Sequence, residues 1–452
     1  MAIYASLMGN PFVDAGISAI CGWVGKEPEE ITASDLERMT GEIAPIMCDP
    51  AWKKQLMIIF TINNPVTSPS RKGRDSEAQL RSVWKGYIST IDELGESGDC
   101  AGCGRRIGDH NLKKDGVPLT GSGSLRNFFP LFGEGVGYCS ACALAIQFAP
   151  LAFFASGGRF LMIHSNSRRI QRVWARICID DIRRQVTSNE ITGCYNRRYS
   201  NPKNGLFFIT DELMSRYESR RPSENVAIQV YHFSNENRAP ELDIYFLPAN
   251  VFRFLAYVHE RQFQQPWKEI VRSGYTRVNW EKVQSEDDYK NYTNQVYERL
   301  IGGLSILGFF LDRSGRRARG NWELVTLYLR EVRGMNETRL STLKRIGDAI
   351  AETIRLSGNT RRLRNLEIAK SYRELRNVLR FIIKDRIAQG LENPLFSLDE
   401  YVEHLFPETE GDFTEWSETR DLIVFRIYEV LHKWLMDKKE EIAEDTAEDT
   451  EV

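Results

Sequence analysis

The chain has 452 residues, which is enough for two to four domains with sizeable hydrophobic cores. Its 60 basic and 62 acidic residues give a formal net charge of −2, which by itself argues against a nucleic-acid partner. The longest apolar run, residues 143–154, is interrupted by Gln147 and Pro150 and is too short to span a bilayer. The N-terminus lacks a basic segment and a cleavable apolar stretch, so we expect a cytoplasmic protein without a membrane partner.

The first predicted element is a helix that begins at a clear capping sequence. In the motif Gly-Asn-Pro-Phe-Val-Asp-Ala-Gly, Asn10 fits the N-cap, Pro11 the first helical position and Asp14 the positive helix end. A second helix is predicted from Ser34, where a Ser-x-x-Glu capping box is present. Residues 56–62 are almost wholly apolar and predict a buried strand.

The most informative motif is a pair of cysteine knuckles, each with two residues between its thiols. The chain contains Cys100, Cys103, Cys139 and Cys142, with 35 residues between the two pairs. A tight turn aims both sulfurs of such a pair at one point, and two pairs supply the four thiolates of a tetrahedral Zn²⁺ site. Such a site has no open position, so we expect a structural zinc ion. The second pair precedes an apolar helical sequence, which predicts that its thiolates lie at a helix N-terminus.

After the cysteine segment, strand and helix patterns alternate until the sequence becomes helical. Strands are predicted at residues 160–163, 206–209, 226–233 and 242–247, with Arg-rich helical stretches between them. From about residue 289 onward, apolar residues recur at helical spacing in three stripes that begin at Leu340, Tyr372 and Ile423. The second stripe is predicted to extend to Ile387. These stripes predict a helical bundle.

The order of these patterns predicts an α+β fold: a multidomain body with a four-cysteine zinc-finger insert and a C-terminal helical bundle. We divide the chain into an N-terminal α/β segment of the body (1–98), a zinc-binding module (99–158), a basic α+β segment of the body (159–288), a helical bundle (289–436) and an acidic tail predicted to be disordered (437–452).

Positive charge is concentrated in two parts of the chain. Residues 159–203 contain ten Lys or Arg against three acids, and residues 339–386 contain 13 against five. A guanidinium group suits phosphate, so these clusters favour a polyanionic partner, and Tyr199 adds a ring that could stack on a base. The alternative is an exposed helix face with weak ion pairs. The candidate nucleic-acid-binding residues are Arg168, Arg169, Arg172, Arg197, Arg198, Arg361, Arg362 and Arg364.

Two other classes of protein remain as alternatives. Nucleases of the His-Asn-His class also use paired CxxC knuckles, and His110 and Asn127 lie within the cysteine segment. Such enzymes need a further His or Asn just after the final cysteine, where this chain has Ala143 and Leu144, so we expect no catalytic metal and no enzyme. A free-standing zinc-ribbon regulator that binds DNA is the third alternative.

The opening motif at residues 9–16, the CAGC and CSAC knuckles, and the α/β body followed by a basic helical bundle resemble the large subunit of type I-B CRISPR Cascade effector complexes. The resemblance implies a non-catalytic protein that works with a CRISPR guide RNA and with Cascade backbone and small subunits. It implies recognition of the protospacer-adjacent motif in target double-stranded DNA, stabilisation of the R-loop and recruitment of a separate helicase-nuclease. In RNA-guided complexes the guide reads the sequence by pairing, while protein reads a short motif.

The resemblance does not identify the side chains that meet the motif. We expect them in exposed loops of the body, because Asn can read adenine and Arg can read guanine through bidentate contacts. The candidates are Asn10 at the first helix and Asn63, Asn64, Arg71, Lys72 and Arg74 in the loop after residue 62. For Asn10, an N-cap without a base contact is the favoured alternative.

The resemblance also implies a second product of the same gene. In I-B and related systems the large-subunit gene often yields a separate small subunit by internal translation initiation. Met335 precedes the stripe that begins at Leu340 and is a suitably placed start, which would release residues 335–452.

Overall fold

The computed structural model describes residues 2–5, 7–62, 64–67, 75–93, 95–96, 98–107, 111–113, 115–120, 135–216, 225–236, 239–407 and 415–438. They form the predicted mixed α+β structure, with a four-cysteine cluster and a C-terminal helical region. The chain divides into two compact units, Met1–Phe252 with Val278–Thr293 and Arg253–Arg277 with Asn294–Val452. The finer five-segment division stays a prediction. Among the described helices, none combines the length and the apolar character needed to cross a membrane.

The first unit combines helices with one larger sheet. The helices are α1 (Pro11–Val24), α2 (Ala33–Met47), α3 (Pro50–Ile59), α4 (Ser76–Ser89), α5 (Ser140–Phe148), α6 (Arg168–Ser188) and α7 (Pro202–Arg216). Of these, α1, α6 and α7 contact the sheet. Helix α2 confirms the second predicted helix, although Thr32 rather than Ser34 is its N-cap. The chain leaves this unit within α8 (Ala249–Val258).

Two pairs of short antiparallel strands lie in the cysteine segment, and a five-stranded sheet follows it along the chain. The strands are β1 (Gly98–Asp99), β2 (Arg106–Ile107), β3 (Asn111–Leu112), β4 (Val136–Gly137), β5 (Phe154–Ser156), β6 (Arg159–Ser165), β7 (Tyr195–Tyr199), β8 (Ile228–Ser234) and β9 (Glu241–Leu247). Strands β1 and β2 pair, as do β3 and β4. The sheet has the order β7-β5-β6-β8-β9, and β5 and β7 run parallel while its other neighbours are antiparallel. Strands β6, β8 and β9 confirm three of the predicted strands.

Two predicted strands are helices in the structure. Residues 56–59 belong to α3, and residues 206–209 lie inside α7. Each helix begins at an Asx–Pro pair: Asp49 accepts a hydrogen bond from the amide of Ala51 at 2.8 Å, and Asn201 accepts one from the amide of Lys203 at 3.0 Å. An apolar run by itself predicts a strand, but here the helix start several residues upstream decides the outcome.

Helix α1 lies at the centre of the core of the first unit. Its residues 13–21 are buried, and it packs against α5, α6 and β6. Gly16 permits the contact with α5, because a Cβ atom at this position would lie 1.9 Å from the carbonyl oxygen of Ala145. On the sheet side, the ring of Phe12 packs edge-to-face against Phe153 and Phe233. One helix therefore joins the cysteine segment to the sheet.

The second unit is mainly helical. Its elements are α9 (Arg261–Ser273), α10 (Gln295–Ile301), β10 (Leu311–Asp312), β11 (Arg317–Ala318), α11 (Trp322–Glu331), α12 (Glu337–Ser357), α13 (Thr360–Ile368), α14 (Tyr372–Ala388), α15 (Leu398–Glu400), a π-turn (Tyr401–Leu405) and α16 (Glu415–Asp437). Helix α12 packs against α16, and α13 against α14. The stripes that begin at Leu340 and Ile423 have buried members along α12 and α16. Ile387 is 70% exposed, so its assignment to the second stripe is wrong: after Ile382 the next buried residue of α14 is Arg386.

Candidate metal centre and arginine groove

Each cysteine pair is held by a different local structure. The first pair lies in the turn between β1 and β2, where the amide of Cys100 donates to the carbonyl of Arg105 and the amide of Gly104 donates to the carbonyl of Cys100, both at 2.8 Å. Gly104 has a φ of +72°, a conformation that favours glycine. In the second pair, Cys139 is the N-cap of α5 and Cys142 lies in its first turn. The predicted position at a helix N-terminus is therefore confirmed.

The four thiols converge on one point. The sulfur atoms of Cys100, Cys103, Cys139 and Cys142 all lie within 4.8 Å of one another, and those of Cys103 and Cys139 are 3.6 Å apart. None of the four forms a disulfide. Four sulfurs held at about 2.3 Å from a tetrahedral Zn²⁺ ion would lie about 3.8 Å from each other, which matches this spacing. The cluster can therefore hold a metal ion such as zinc.

The surroundings of the cluster also fit a bound cation. The amides of Gly102 and Cys139 donate to the sulfur of Cys100 at 3.3 and 3.2 Å, which stabilises a thiolate. Hydrogen bonds from the thiols of Cys103, Cys139 and Cys142 lower the pKa of Cys100, whereas the contact with Cys100 raises the pKa of Cys142. Thiols this close cannot all ionise without a positive charge between them. A dication would supply that charge, and all four positions around it would be protein ligands.

The cluster is packed directly against the start of α1. A Cβ atom at Gly102 would lie 2.9 Å from the sulfur of Cys142 and 3.0 Å from Cγ2 of Val13, so the knuckle has no room for a side chain there. Nearby, Asn10 accepts from the amide of Val13 at 3.2 Å and donates to the hydroxyl of Tyr138 at 3.1 Å. The N-cap role of Asn10 is confirmed, and both ends of its carboxamide are engaged within the protein.

The other candidate base-reading residues are only partly described. Asn64 is 2% exposed, and its side-chain oxygen accepts from the amide of Val66 at 3.0 Å. A base contact by Asn64 would therefore require this turn to open. The remaining four, Asn63, Arg71, Lys72 and Arg74, lie outside the described residues.

The first half of α6 lines a strongly basic groove in the first unit. The groove has a volume of about 990 Å³, and its acidic lining residues are Glu27 and Asp180. Its basic lining residues are the three predicted ones, Arg168, Arg169 and Arg172, together with Arg176 and Arg216. Five guanidinium groups against two carboxylates favour a polyanion.

Two further features of the groove suit phosphate rather than covalent chemistry. Ser167 precedes α6 and its side chain makes no capping hydrogen bond, and the N-terminus of a helix favours an anionic oxygen. The end of α1 also lines the groove, including Cys21 and Gly22. Cys21 is 3% exposed, and burial raises the pKa of its thiol to about 12, so it carries a proton at neutral pH and is a poor nucleophile.

Three groove arginines already have carboxylate partners, and one of them, Arg216, lies 3.7 Å from Glu212 on its own helix. Arg172 forms an ion pair with Glu27, and Arg168 lies 3.3 Å from Glu29. Both acids belong to the short segment that follows α1, where Pro28–Glu30 forms a 3₁₀ turn. These partners are more than 130 residues away along the chain, so helical spacing predicts the basic face of α6 but not its acidic neighbour.

Arg197 and Arg198 lie on β7, at the edge of the sheet. The guanidinium of Arg197 donates to the hydroxyl of Tyr195 at 3.1 Å and lies over its ring, 5.4 Å from the centroid. Arg198 is exposed and has a φ of +60°. Tyr199 is only 8% exposed and packs against Phe208, so the prediction that its ring is available for stacking is wrong. These two arginines do not line the groove beside α6.

In the second unit, the three predicted arginines of α13 have different environments. Arg362 makes two hydrogen bonds to the carboxylate of Asp385 in α14, at 2.6 and 3.2 Å, and so ties the two helices together. Arg361 is exposed, whereas Arg364 is half-buried. They therefore do not form one uniform basic face.

Residues 93–154, which carry both knuckles and α5, match a family model described as CRISPR-associated protein (Cas_CXXC_CXXC). This match supports a CRISPR-associated protein. A search of curated proteins and a search of solved structures each found no match.

Proposed function

We propose that the protein is the non-catalytic large subunit of an RNA-guided type I-B CRISPR surveillance complex. The observation that carries this proposal is the position of helix α1. Its first turn packs against the cysteine segment that matches a CRISPR-associated family model, and its last turn lines the groove that contains five arginines. In this role the protein recognises the protospacer-adjacent motif in duplex DNA, stabilises the R-loop and recruits a helicase-nuclease. Its partners are the guide RNA, the target DNA, and the Cascade backbone and small subunits.

The described residues support a division of labour within the first unit. The four cysteines hold a structural zinc ion and fix the start of α1 against α5. The arginines of the groove and the first-turn amides of α6 contact phosphates, which positions a nucleic acid without reading its sequence. Sequence is read by pairing with the guide RNA, and the short motif is read by side chains in exposed loops.

The absence of catalysis is part of the proposal. Ala143 and Leu144, the two residues after the last cysteine, are buried in α5 and offer no metal ligand. His110 and Asn127 lie outside the described residues. Metal-dependent DNA cleavage by the isolated chain that is lost in His110→Ala would favour a His-Asn-His-like nuclease instead. Tight sequence-specific binding without guide RNA would favour a free-standing regulator.

Purification of the tagged chain from cells that express its complete locus tests the assembly. We expect it to bring down a guide RNA and backbone subunits, and a chain that purifies alone under gentle conditions would contradict the proposal.

The assembled complex should bind a target duplex with a steep salt dependence. Replacing Arg71, Lys72 and Arg74 together by Ala should weaken that binding and flatten the slope. Replacing Lys85, Arg261 and Arg277 together by Ala is the matched control, because these are three exposed cations outside the proposed sites.

A further inference from the structure

We infer that Glu27 and Glu29 occupy the phosphate-binding arginines of the groove and so restrict it to polyanions with several consecutive phosphates. The inference rests on the proposed function, because it assigns a selectivity to the same groove. The two acids contact neighbouring arginines of the groove: Glu27, which lines the groove, pairs with Arg172, and Glu29 contacts Arg168, one helical turn away on α6.

The acidic segment is held in place by its own hydrogen bonds. Helix α1 ends at Val24, and its C-cap Gly25 has a φ of +81° that turns the chain and an amide that donates to the carbonyl of Cys21 at 2.8 Å. The carboxylate of Glu30 accepts from the amide of Glu27 at 3.1 Å, which closes the turn. Glu27 and Glu29 are then the side chains that reach α6.

The neighbouring cation does not neutralise the acids. Lys26 directs its ammonium group to Asp35 of α2, at 2.7 Å. The segment therefore presents two carboxylates to two guanidinium groups, which is the charge pattern of two successive phosphates on a nucleic-acid backbone.

The two ion pairs are weak enough to be exchanged. All four side chains are between 35% and 46% exposed, and solvent-exposed pairs contribute little to stability. An isolated phosphate can replace one carboxylate but gains little by doing so. A continuous backbone also reaches Arg176, which makes no ion pair within the described residues, so it gains contacts that the acids cannot supply.

The test measures the affinity of the full-length chain for a labelled mixed-sequence DNA duplex, with and without the acids. Glu27→Gln with Glu29→Gln should tighten binding by about three- to thirty-fold, since each exposed ion pair is worth up to about 1 kcal/mol. The slope of log K against log salt should steepen by up to about 0.9 for each arginine released. The matched control is Glu37→Gln with Glu190→Gln, which removes the same charge from two exposed positions outside the groove.

A second variant separates this inference from the proposed groove. Arg168→Gln with Arg172→Gln should weaken duplex binding and abolish the effect of the Glu27 and Glu29 changes. If the acid variant binds no more tightly than its control while the arginine variant binds less tightly, the groove stands and the selectivity role is overturned. If the arginine variant binds as well as the unchanged chain, neither holds. Thermal unfolding of each variant confirms that the fold is intact.

Discussion

The imidazole Nε2 of His164 in β6 lies 3.1 Å from the carboxylate Oδ2 of Asp14 in the first turn of α1. The same carboxylate accepts hydrogen bonds from the amides of Met8 at 2.6 Å and Gly9 at 2.9 Å, and it is buried. Asp14 therefore does more than complement the positive end of the helix. It fixes the segment that enters α1 and joins that segment to the sheet.

Replacing Asp14 should destabilise the protein strongly. Asp14→Ala leaves two amides and the imidazole without their acceptor, and we expect a loss of about 3 kcal/mol in the free energy of unfolding. His164→Ala removes one of these contacts and should cost about 1 kcal/mol. Urea unfolding followed by circular dichroism measures both. A similar loss for the two variants would show that the amide contacts contribute little.

The contact between α1 and α5 predicts an unusually sensitive glycine. Gly16→Ala places a methyl group against the carbonyl of Ala145, and backbone cannot move aside as a flexible side chain can. We expect a loss of about 3 kcal/mol or more in the free energy of unfolding. Gly86→Ala in α4 is the matched control, because its Cβ would meet nothing within 4 Å and should raise helix stability by about 0.5–1 kcal/mol. Equal effects would contradict the close contact.

Removing one thiol should release the metal. Cys100→Ser should lower the metal content, measured by mass spectrometry of the purified chain, and lower the melting temperature, because structural zinc contributes directly to folding. Cys48→Ser, outside the cluster, should retain the metal. Full zinc occupancy in Cys100→Ser would contradict the four-thiolate site.

One carboxylate gives a defined pH dependence. Hydrogen bonds from Lys26 and Thr32 lower the pKa of Asp35 to about 2, below its value of about 3.9 in an unfolded chain. Its stabilising contribution is therefore complete above pH 4 and is lost as the pH falls from 4 towards 2. Asp35→Asn should show a smaller change in stability across this range than the unchanged chain. Parallel stability curves for the two chains would remove Asp35 from the acid response.

The small-subunit hypothesis can be tested by intact mass. Translation from Met335 would keep α12–α16 and omit α11, and Met335 lies in the loop between α11 and α12. We expect cells expressing the locus to contain a fragment of residues 335–452. Met335→Leu should abolish it, and persistence of the fragment would exclude this start.

Local sequence signals predict much of this fold when the capping residues at the start of each helix are considered together with the apolar pattern. The Asn10–Pro11 pair predicts α1, and the same kind of pair at Asp49–Pro50 and Asn201–Pro202 begins the two helices whose apolar runs predict strands. The apolar runs inside those helices match a buried strand in composition. Length and capping therefore separate the two cases better than hydrophobicity does.

The candidate sites differ in how much of each one can be predicted from the sequence. The metal centre is predictable because each knuckle is local and thiol spacing encodes a turn. The basic face of α6 is also local. The acids that pair with it, and the Gly16 contact that places α1, join segments far apart in the chain, and no periodicity signals such pairs.

Helix α5 carries two of the four thiols at its start and touches the backbone of α1 about one turn later, at Ala145. Because no side chain separates the two helices there, α1 must follow any displacement of α5. Cys21 and Gly22, which line the groove, belong to α1. We therefore expect a chain made under metal starvation to retain every arginine of α6 yet lose the end of α1 that lines the groove beside them, so that the shape of the groove depends on a metal site at the other end of α1.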